Sequence, residues 1–203
     1  TGEAAAGIGR VDIDAADPFG RALDAVRARH GPAAYPGSPM IARVLTRPQD
    51  RLTLMELHPA EHAALRVALA GDGVAIHHRD GREGALALAP FTPRKGLVLV
   101  DPSYEVKTEY AETAGFARRL LGKWPDATVL IWYPLLPAGR HAELLAGLGP
   151  LPLRRDEVRF TPAPTRGMTG SGLVLLNGPH GAETAFAAAH RAAAGVLVPI
   201  RTR

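Results

Sequence analysis

The 203-residue sequence contains no cysteine, only three lysines and no long apolar run. Without cysteine, disulfide bonds and thiolate metal sites are excluded. No stretch approaches the roughly 20 apolar residues that a membrane-spanning helix needs, and no secretory signal is visible. We therefore expect a cytoplasmic protein that associates with no membrane and holds no metal.

The positive charge of the chain comes almost wholly from arginine. The net charge is +4 and the pI is about 9.8. A planar guanidinium can bind phosphate through two hydrogen bonds, so a nucleic-acid partner is one interpretation. Biased composition from a G+C-rich genome is the other. Within this excess, Arg154, Arg155, Arg159 and Arg166 form either an RNA-facing strip or a solvated strand face.

The chain has the length and apolar content, 46%, of one α/β domain. Strands are predicted at residues 51–57, 74–78, 96–100, 128–132, 153–160 and 172–176. Helices are predicted at residues 18–29, 38–46, 60–70, 82–88, 110–122, 140–146 and 183–194. This alternation predicts a parallel sheet with helices on both faces. The connection 162–171 is too short for a crossover, which predicts an antiparallel last pair.

An acid, a proline and an aromatic residue follow the apolar run 96–100. In open α/β sheets this carboxyl edge is where ligands bind. The carboxylate of Asp101 and the carbonyl of Pro102 can each accept one N–H of an exocyclic amine on a nucleobase. That would aim the nitrogen lone pair at a methyl donor. Tyr104 offers a face on which a flipped base can stack.

Residues 101–104 resemble the D-P-P-Y signature of methyltransferases that modify such an amine, with Ser103 in place of the second proline. A plain strand-ending turn is the alternative interpretation of this tetrapeptide. Because the second proline stiffens the turn rather than bonding the amine, we expect Ser103 to be tolerated.

Six separate sequence blocks extend the resemblance to one family. They are residues 35–39 (YPGSP), 56–59 (ELHP), 80–81 (DG), 101–104 (DPSY), 132–134 (WYP) and 166–172 (RGMTGSG). Together they resemble the RlmJ family, which implies S-adenosylmethionine-dependent methylation of adenine N6 in 23S ribosomal RNA. The resemblance also implies a Rossmann-like class I methyltransferase fold, with a mostly parallel sheet and an antiparallel C-terminal strand.

The resemblance assigns roles to particular residues. Glu56 ends a strand, where an acid can accept bonds from the cofactor ribose. Asp80 can accept from the cofactor adenine, and Gly81 allows close backbone approach. Ser38, which is also a good helix N-cap, is implied as a cofactor contact. The implied catalytic residues are Asp101, Pro102 and Tyr104, and Asp101 is implied as a cofactor contact as well.

The domain organisation is also implied by the resemblance. Residues 1–34 would be the remnant of a helical insertion, and residues 35–203 the methyltransferase core. The family's first strand and glycine-rich loop have no counterpart here, so we expect this chain to hold part of the cofactor pocket. Its expected partner is large-subunit ribosomal RNA, and a monomer is favoured.

Two other functions fit the same residues. A DNA adenine methyltransferase would use the same amine chemistry, and 2′-hydroxyl contacts are not legible in the sequence. A non-catalytic nucleic-acid-binding protein with a degenerate cofactor site, linked to use of external DNA, is the second. The H-x-x-E-H pattern at residues 58–62 is typical of some zinc peptidases, but a helix that begins at Pro59 is the simpler interpretation.

Overall fold

The computed structural model describes residues 8, 11, 13–71 and 73–200. It contains two compact units, one of residues 13–87 and one that includes residues 88–200. Each unit is described by itself. The predicted insertion remnant, residues 1–34, lies partly outside the described residues, and the division at residue 34 stays a prediction.

The first unit contains a two-stranded parallel sheet. Its elements are α1 (Pro18–His30), α2 (Ser38–Leu45), β1 (Leu52–Glu56), α3 (Pro59–Leu69), β2 (Val74–His78) and α4 (Gly81–Leu88). The pairing of β1 with β2 runs from Leu52↔Val74 to Glu56↔His78. The carboxyl ends of both strands therefore lie at one edge, and α3 packs against both strands.

Proline sets the start of three helices in this unit. Pro18 and Pro59 each occupy the first helical position, where a missing N–H costs no hydrogen bond. The N-cap of α3 is His58, and the helix begins at Pro59 as predicted. The N-cap of α2 is Gly37, with no side-chain capping bond, so the prediction of Ser38 as N-cap was wrong. Ser38 is instead the first residue of the helix, directly before Pro39.

The second unit contains a five-stranded sheet. Its elements are β3 (Gly96–Val100), α5 (Glu109–Lys123), β4 (Ala127–Leu135), α6 (His141–Leu148), β5 (Leu153–Phe160), β6 (Gly170–Leu176), α7 (Ala182–Ala192) and β7 (Leu197–Ile200). The strand order is β3-β4-β6-β5-β7. β4 is parallel to β3, and β6 is antiparallel to both β4 and β5.

The sheet is mixed rather than mostly parallel. β3, β4 and β5 run in one direction, whereas β6 and β7 run in the other. The predicted antiparallel pair, β5 with β6, is confirmed. The expectation of a single antiparallel C-terminal strand is corrected by β7, which pairs antiparallel with β5. β7 contains Pro199, and the edge of a sheet tolerates a residue that cannot donate a backbone hydrogen bond.

Buried side chains of β4 and α5 form the interior of this unit. Alternate residues of β4, namely Val129, Ile131 and Tyr133, are fully buried, as a strand packed on one face requires. Helices α5 and α6 pack against each other. On α5, residues three and four apart form the apolar face, with Phe116 and Leu120 buried.

A buried polar row crosses three strands. The register places Tyr133, Gly172 and Glu157 opposite one another on β4, β6 and β5. Because Gly172 has no side chain, the Tyr133 ring lies over it and its hydroxyl donates to Glu157 Oε1 at 2.8 Å. Arg155 donates to Oε2 of the same carboxylate at 2.7 Å. Glu157, only 3% exposed, is therefore a paired buried charge.

Glu157 makes stability depend on pH. Burial raises its pKa, but the hydrogen bonds from Arg155 and Tyr133 and the charge of Arg155 outweigh burial and leave the pKa lowered. A lowered pKa adds stability above the unfolded value of about 4.3, and that stability is lost as the pH falls through the folded value. We expect thermal unfolding to show a weaker dependence on pH below about pH 5 in Glu157→Gln than in the wild type. An unchanged pH dependence in Glu157→Gln would contradict the assignment of this stability to Glu157.

In the part of the chain that the structure describes, no helix is both long enough and apolar enough to span a membrane.

Candidate active site

Asp101 directly follows β3 at the carboxyl edge of the five-stranded sheet. Val100, the last residue of β3, lies opposite Ile131 of β4. Neither a hydrogen bond nor an ion pair engages the Asp101 carboxylate among the described residues. Partial burial raises the pKa of this carboxyl. The site thus presents a carboxylate whose acceptor sites are open to a ligand.

Tyr104 anchors the loop that follows Asp101. The Tyr104 hydroxyl donates to the carbonyl oxygen of Trp132 at 2.9 Å, and its ring lies 4.5 Å from that of Tyr110. Tyr104 has φ +56°, a left-handed conformation that a non-glycine residue adopts only when its surroundings hold it. Burial also raises the pKa of the Tyr104 hydroxyl.

This placement differs from the base-stacking platform expected from the sequence. Tyr104 is only 6% exposed, so its ring faces are covered by protein in this conformation. The residue that the sequence reasoning missed is Trp132, whose carbonyl anchors the loop. Its only sequence signal is its place in the block 132–134.

Ser103, which stands in the place of the second proline, also contacts the protein. Its hydroxyl lies 3.3 Å from Glu109 Oε2, at the start of α5. Between Asp101 and Tyr104, the loop therefore has one further bond to the following helix. This bond offers a polar substitute for the stiffness that a proline would give.

Glu56 ends β1 in the first unit and is half-buried. Its Oε1 accepts a hydrogen bond from the backbone N–H of His58 at 2.7 Å. This bond orients the carboxylate at the strand end and leaves Oε2 as an acceptor. A carboxylate in this position can accept the hydrogen bonds that the two hydroxyls of a ribose donate.

Asp80 and Gly81 follow β2 at the same edge. Asp80 Oδ1 accepts from the backbone N–H of Glu83 at 2.9 Å, which makes Asp80 the cap of α4. Its Oδ2 lies 3.9 Å from an Arg82 guanidinium nitrogen. A Cβ built on Gly81 would come no nearer than 3.9 Å to its one neighbour, Met55. The backbone at Gly81 is therefore open to close approach.

The first unit brings Glu56, Asp80 and Gly81 to one sheet edge, because Glu56 and His78 are opposite in the register. Ser38 is exposed at the start of α2 and makes no side-chain capping bond, so its hydroxyl is open to a ligand. These acceptors suit a nucleoside, with a carboxylate for the ribose and another for a base amine. The residues present therefore fit the nucleoside half of the cofactor implied by the sequence.

The histidines at this edge have local roles. His78 Nε2 lies 3.0 Å from the carbonyl oxygen of Leu57, and its ring stacks on that of His62 at 4.9 Å. Among the described residues, no cluster of three or more histidines, aspartates or glutamates could hold a metal ion. The H-x-x-E-H pattern at residues 58–62 forms the start of α3, with His58 as the N-cap.

Comparison with known proteins places the chain in a family. The family model RsmJ, described as "Ribosomal RNA large subunit methyltransferase D, RlmJ", matches residues 1–201. The chain belongs to this family. The RlmJ resemblance inferred from the six sequence blocks is therefore confirmed.

Curated relatives carry a matching name. "Ribosomal RNA large subunit methyltransferase J" of Escherichia coli (strain K12) is 35% identical over 150 residues, which are 71% of this chain and 54% of the relative. The protein of the same name from Haemophilus influenzae is 36% identical over 155 residues, 74% of this chain and 55% of the relative. The chain thus spans about half the length of these RlmJ relatives.

A solved structure supports the fold. The crystal structure of protein LPL1258 from Legionella pneumophila is similar, with a TM-score of 0.78 and 27% sequence identity. The similarity covers 93% of this chain and 74% of that protein. The α/β architecture of this RlmJ family member is therefore one that a solved structure also adopts.

Proposed function

We propose that the protein is an S-adenosylmethionine-dependent methyltransferase that places a methyl group on N6 of an adenine in 23S ribosomal RNA. Family membership supports the reaction and the RNA substrate. The observation that carries the chemistry is the Asp101 carboxylate, open to a ligand at the end of β3 and followed by Pro102. The proposed setting is the cytoplasm, with the protein acting as a monomer.

The chemistry of the target explains these residue types. The lone pair of an adenine amine is delocalised into the ring, which makes the nitrogen a poor nucleophile. When Asp101 and the Pro102 carbonyl each accept one N–H, the nitrogen turns toward tetrahedral geometry. The carboxylate also stabilises the positive charge that develops on nitrogen during transfer. The amine proton then leaves to water or to Asp101.

S-adenosylmethionine, when bound, supplies a methyl group activated by a positively charged sulfur. We assign the ribose of this cofactor to Glu56, its adenine to Asp80 and Gly81, and a further contact to Ser38. The observed acceptors at the edge of β1 and β2 support this assignment. Asp101 is assigned to the transfer itself, and the family resemblance also implies a cofactor contact for it.

We assign the fold to the Rossmann-like class I methyltransferases. The strand order β3-β4-β6-β5, in which an antiparallel strand lies between two parallel ones, supports this class. The parallel pair of β1 with β2, joined through α3, supports it from the first unit. The division into an insertion remnant, residues 1–34, and a core, residues 35–203, is part of the same proposal.

The function is tested by transfer of labelled methyl from S-adenosylmethionine. Unmodified large-subunit ribosomal RNA and duplex DNA are offered in parallel, and the modified nucleoside is identified by mass spectrometry. We expect label in the RNA, on N6 of adenine. Label in DNA alone would replace RNA by DNA as the substrate. A folded protein that binds S-adenosylmethionine but labels neither polymer would contradict the proposal.

Tyr104 offers a test of how the loop is held. We expect Tyr104→Phe to lower the turnover number about tenfold, because the loop loses its bond to Trp132 and the reacting groups shift. Cofactor affinity should not change. The matched control is Tyr110→Phe, since the Tyr110 hydroxyl has no hydrogen-bond partner among the described residues. If Tyr104→Phe keeps full turnover and only Tyr104→Ala loses it, the ring acts by stacking instead.

A further inference from the structure

The four arginines interpreted as either an RNA-facing strip or a solvated strand face divide into two pairs in the structure. Arg154 forms an ion pair with Glu183 of α7. Arg155 donates to the buried carboxylate of Glu157. Both guanidinium groups therefore have a carboxylate partner within the protein, and neither is available to bind phosphate without losing it.

The other pair, Arg159 and Arg166, is exposed. Within the described ranges of the chain, neither guanidinium takes part in an ion pair or a hydrogen bond. The sequence between Glu157 and Glu183 contains no acidic residue, so no nearby carboxylate in this segment neutralises them. These two arginines thus lie in a segment without acidic residues that includes the connection between β5 and β6.

This segment lies at the same sheet edge as Asp101. β4 continues past the end of β3 as far as Leu135, which is opposite Gly170, and Gly170 is in turn opposite Arg159. The backbone N–H and hydroxyl of Thr169 both donate to the Leu135 carbonyl, at 2.8 and 3.0 Å. The connection 161–169 is thereby fixed at the carboxyl edge. All these elements belong to the second unit.

We propose that Arg159 and Arg166 form a contact surface for the phosphate backbone of the RNA that carries the target adenine. The inference rests on the proposed function, since it takes RNA as the polymer presented to Asp101. Guanidinium groups bind phosphate oxygens through paired hydrogen bonds. Phosphate contacts fix the register of a nucleic acid without reading its sequence. The surface therefore positions the substrate and leaves base selection to the residues around Asp101.

The test measures binding of a fluorescent fragment of unmodified large-subunit RNA by anisotropy at several salt concentrations. In R159Q/R166Q, we expect affinity to fall about tenfold at moderate salt. The slope of log affinity against log salt should become less negative by about 1.4 to 1.8, because two phosphate contacts are lost. R159K/R166K should retain most of the salt dependence, since lysine keeps the charge.

The matched control is R118Q/R119Q. These two arginines are exposed on α5 in the same unit, so the control removes the same net charge from another surface. Affinity that falls equally in both double variants would overturn the proposal in favour of a general charge effect. Unchanged affinity in R159Q/R166Q, or a wild type that does not bind the RNA, would overturn it as well.

The same proteins separate this inference from the proposed function. In methyl transfer, R159Q/R166Q should raise the KM for RNA about as much as it weakens binding, with kcat changed less than about twofold. If the wild type binds RNA through these arginines but transfers no methyl group, the proposed methyltransferase function is refuted and the phosphate-contact surface is retained. Equal methylation of RNA by the wild type and by R159Q/R166Q would refute the contact surface but not the proposed function.

Discussion

Asp101→Asn lowers methyl transfer to RNA by about 100- to 1,000-fold, the range expected when one preorganised electrostatic contact to the transition state is removed. Asparagine has nearly the same shape, but it lacks the negative charge that offsets the developing charge on nitrogen. The measurement is the single-turnover rate with saturating S-adenosylmethionine. Binding of the cofactor, measured by calorimetry, should change less than about twofold, since an effect on transfer alone marks a transition-state contact.

The pH dependence of the rate gives a second readout. Partial burial raises the pKa of Asp101 above its ordinary value, which is about 3.9. The carboxylate is therefore protonated at a higher pH than an exposed aspartate, and transfer falls as the pH drops through that raised pKa. This acid limb should vanish in Asp101→Asn.

Glu105→Gln is the matched control, because Glu105 is an exposed acid in the same loop. It makes the same change of charge four positions along the chain and should leave both the rate and the acid limb intact. Equal rates in the wild type and Asp101→Asn would refute the proposed mechanism.

Gly172→Ala destabilises the protein by about 3 kcal/mol, from overpacking together with a weakened buried hydrogen bond. A Cβ on Gly172 would overlap the Tyr133 ring, including its hydroxyl oxygen. The ring must then move away from Glu157, which leaves one oxygen of a buried carboxylate without its donor. The melting temperature should fall by about 6–12 °C, at 2–4 °C per kcal/mol for a chain of this size.

Gly122→Ala is the control for this variant. Gly122 lies on α5, and a Cβ there meets no atom within 4 Å. Alanine is the better helix former by about 0.5–1 kcal/mol, so this variant should be as stable as the wild type or more stable. A melting temperature of Gly172→Ala within about 2 °C of the wild type, less than 1 kcal/mol, would show that the sheet accommodates the added methyl group.

The sequence predicted most of the fold because hydrophobic periodicity sets local structure. The apolar run Gly96–Val100 is a strand as predicted. The strand predicted at residues 128–132 is also present, but β4 extends it to Ala127–Leu135. The position of β6 between β4 and β5 could not be predicted, because strand order depends on contacts between residues some 40 positions apart. β7 was missed since a proline in a four-residue strand carries little local signal.

The candidate site was predictable in its residue types but not in its contacts. The edge positions of Glu56, Asp80 and Asp101 follow from the ends of their strands. The burial of Tyr104 does not, because it depends on a backbone carbonyl of Trp132, and backbone groups are alike at every position. The division of the four arginines into paired and unpaired residues within the described chain was equally unpredictable from the sequence, because Glu183 reaches Arg154 only when α7 packs on the sheet.

The acids at the two sheet edges should have different evolutionary histories. Asp80 caps α4 and Glu56 orients the turn at His58, so both are useful to the fold in a descendant that no longer methylates anything. Asp101 bonds to nothing within the described chain. Once the reaction is lost, no structural demand keeps an acid there. In sequences related to this one, loss of the acid at position 101 should therefore be the earliest sign of a protein that has turned to another task.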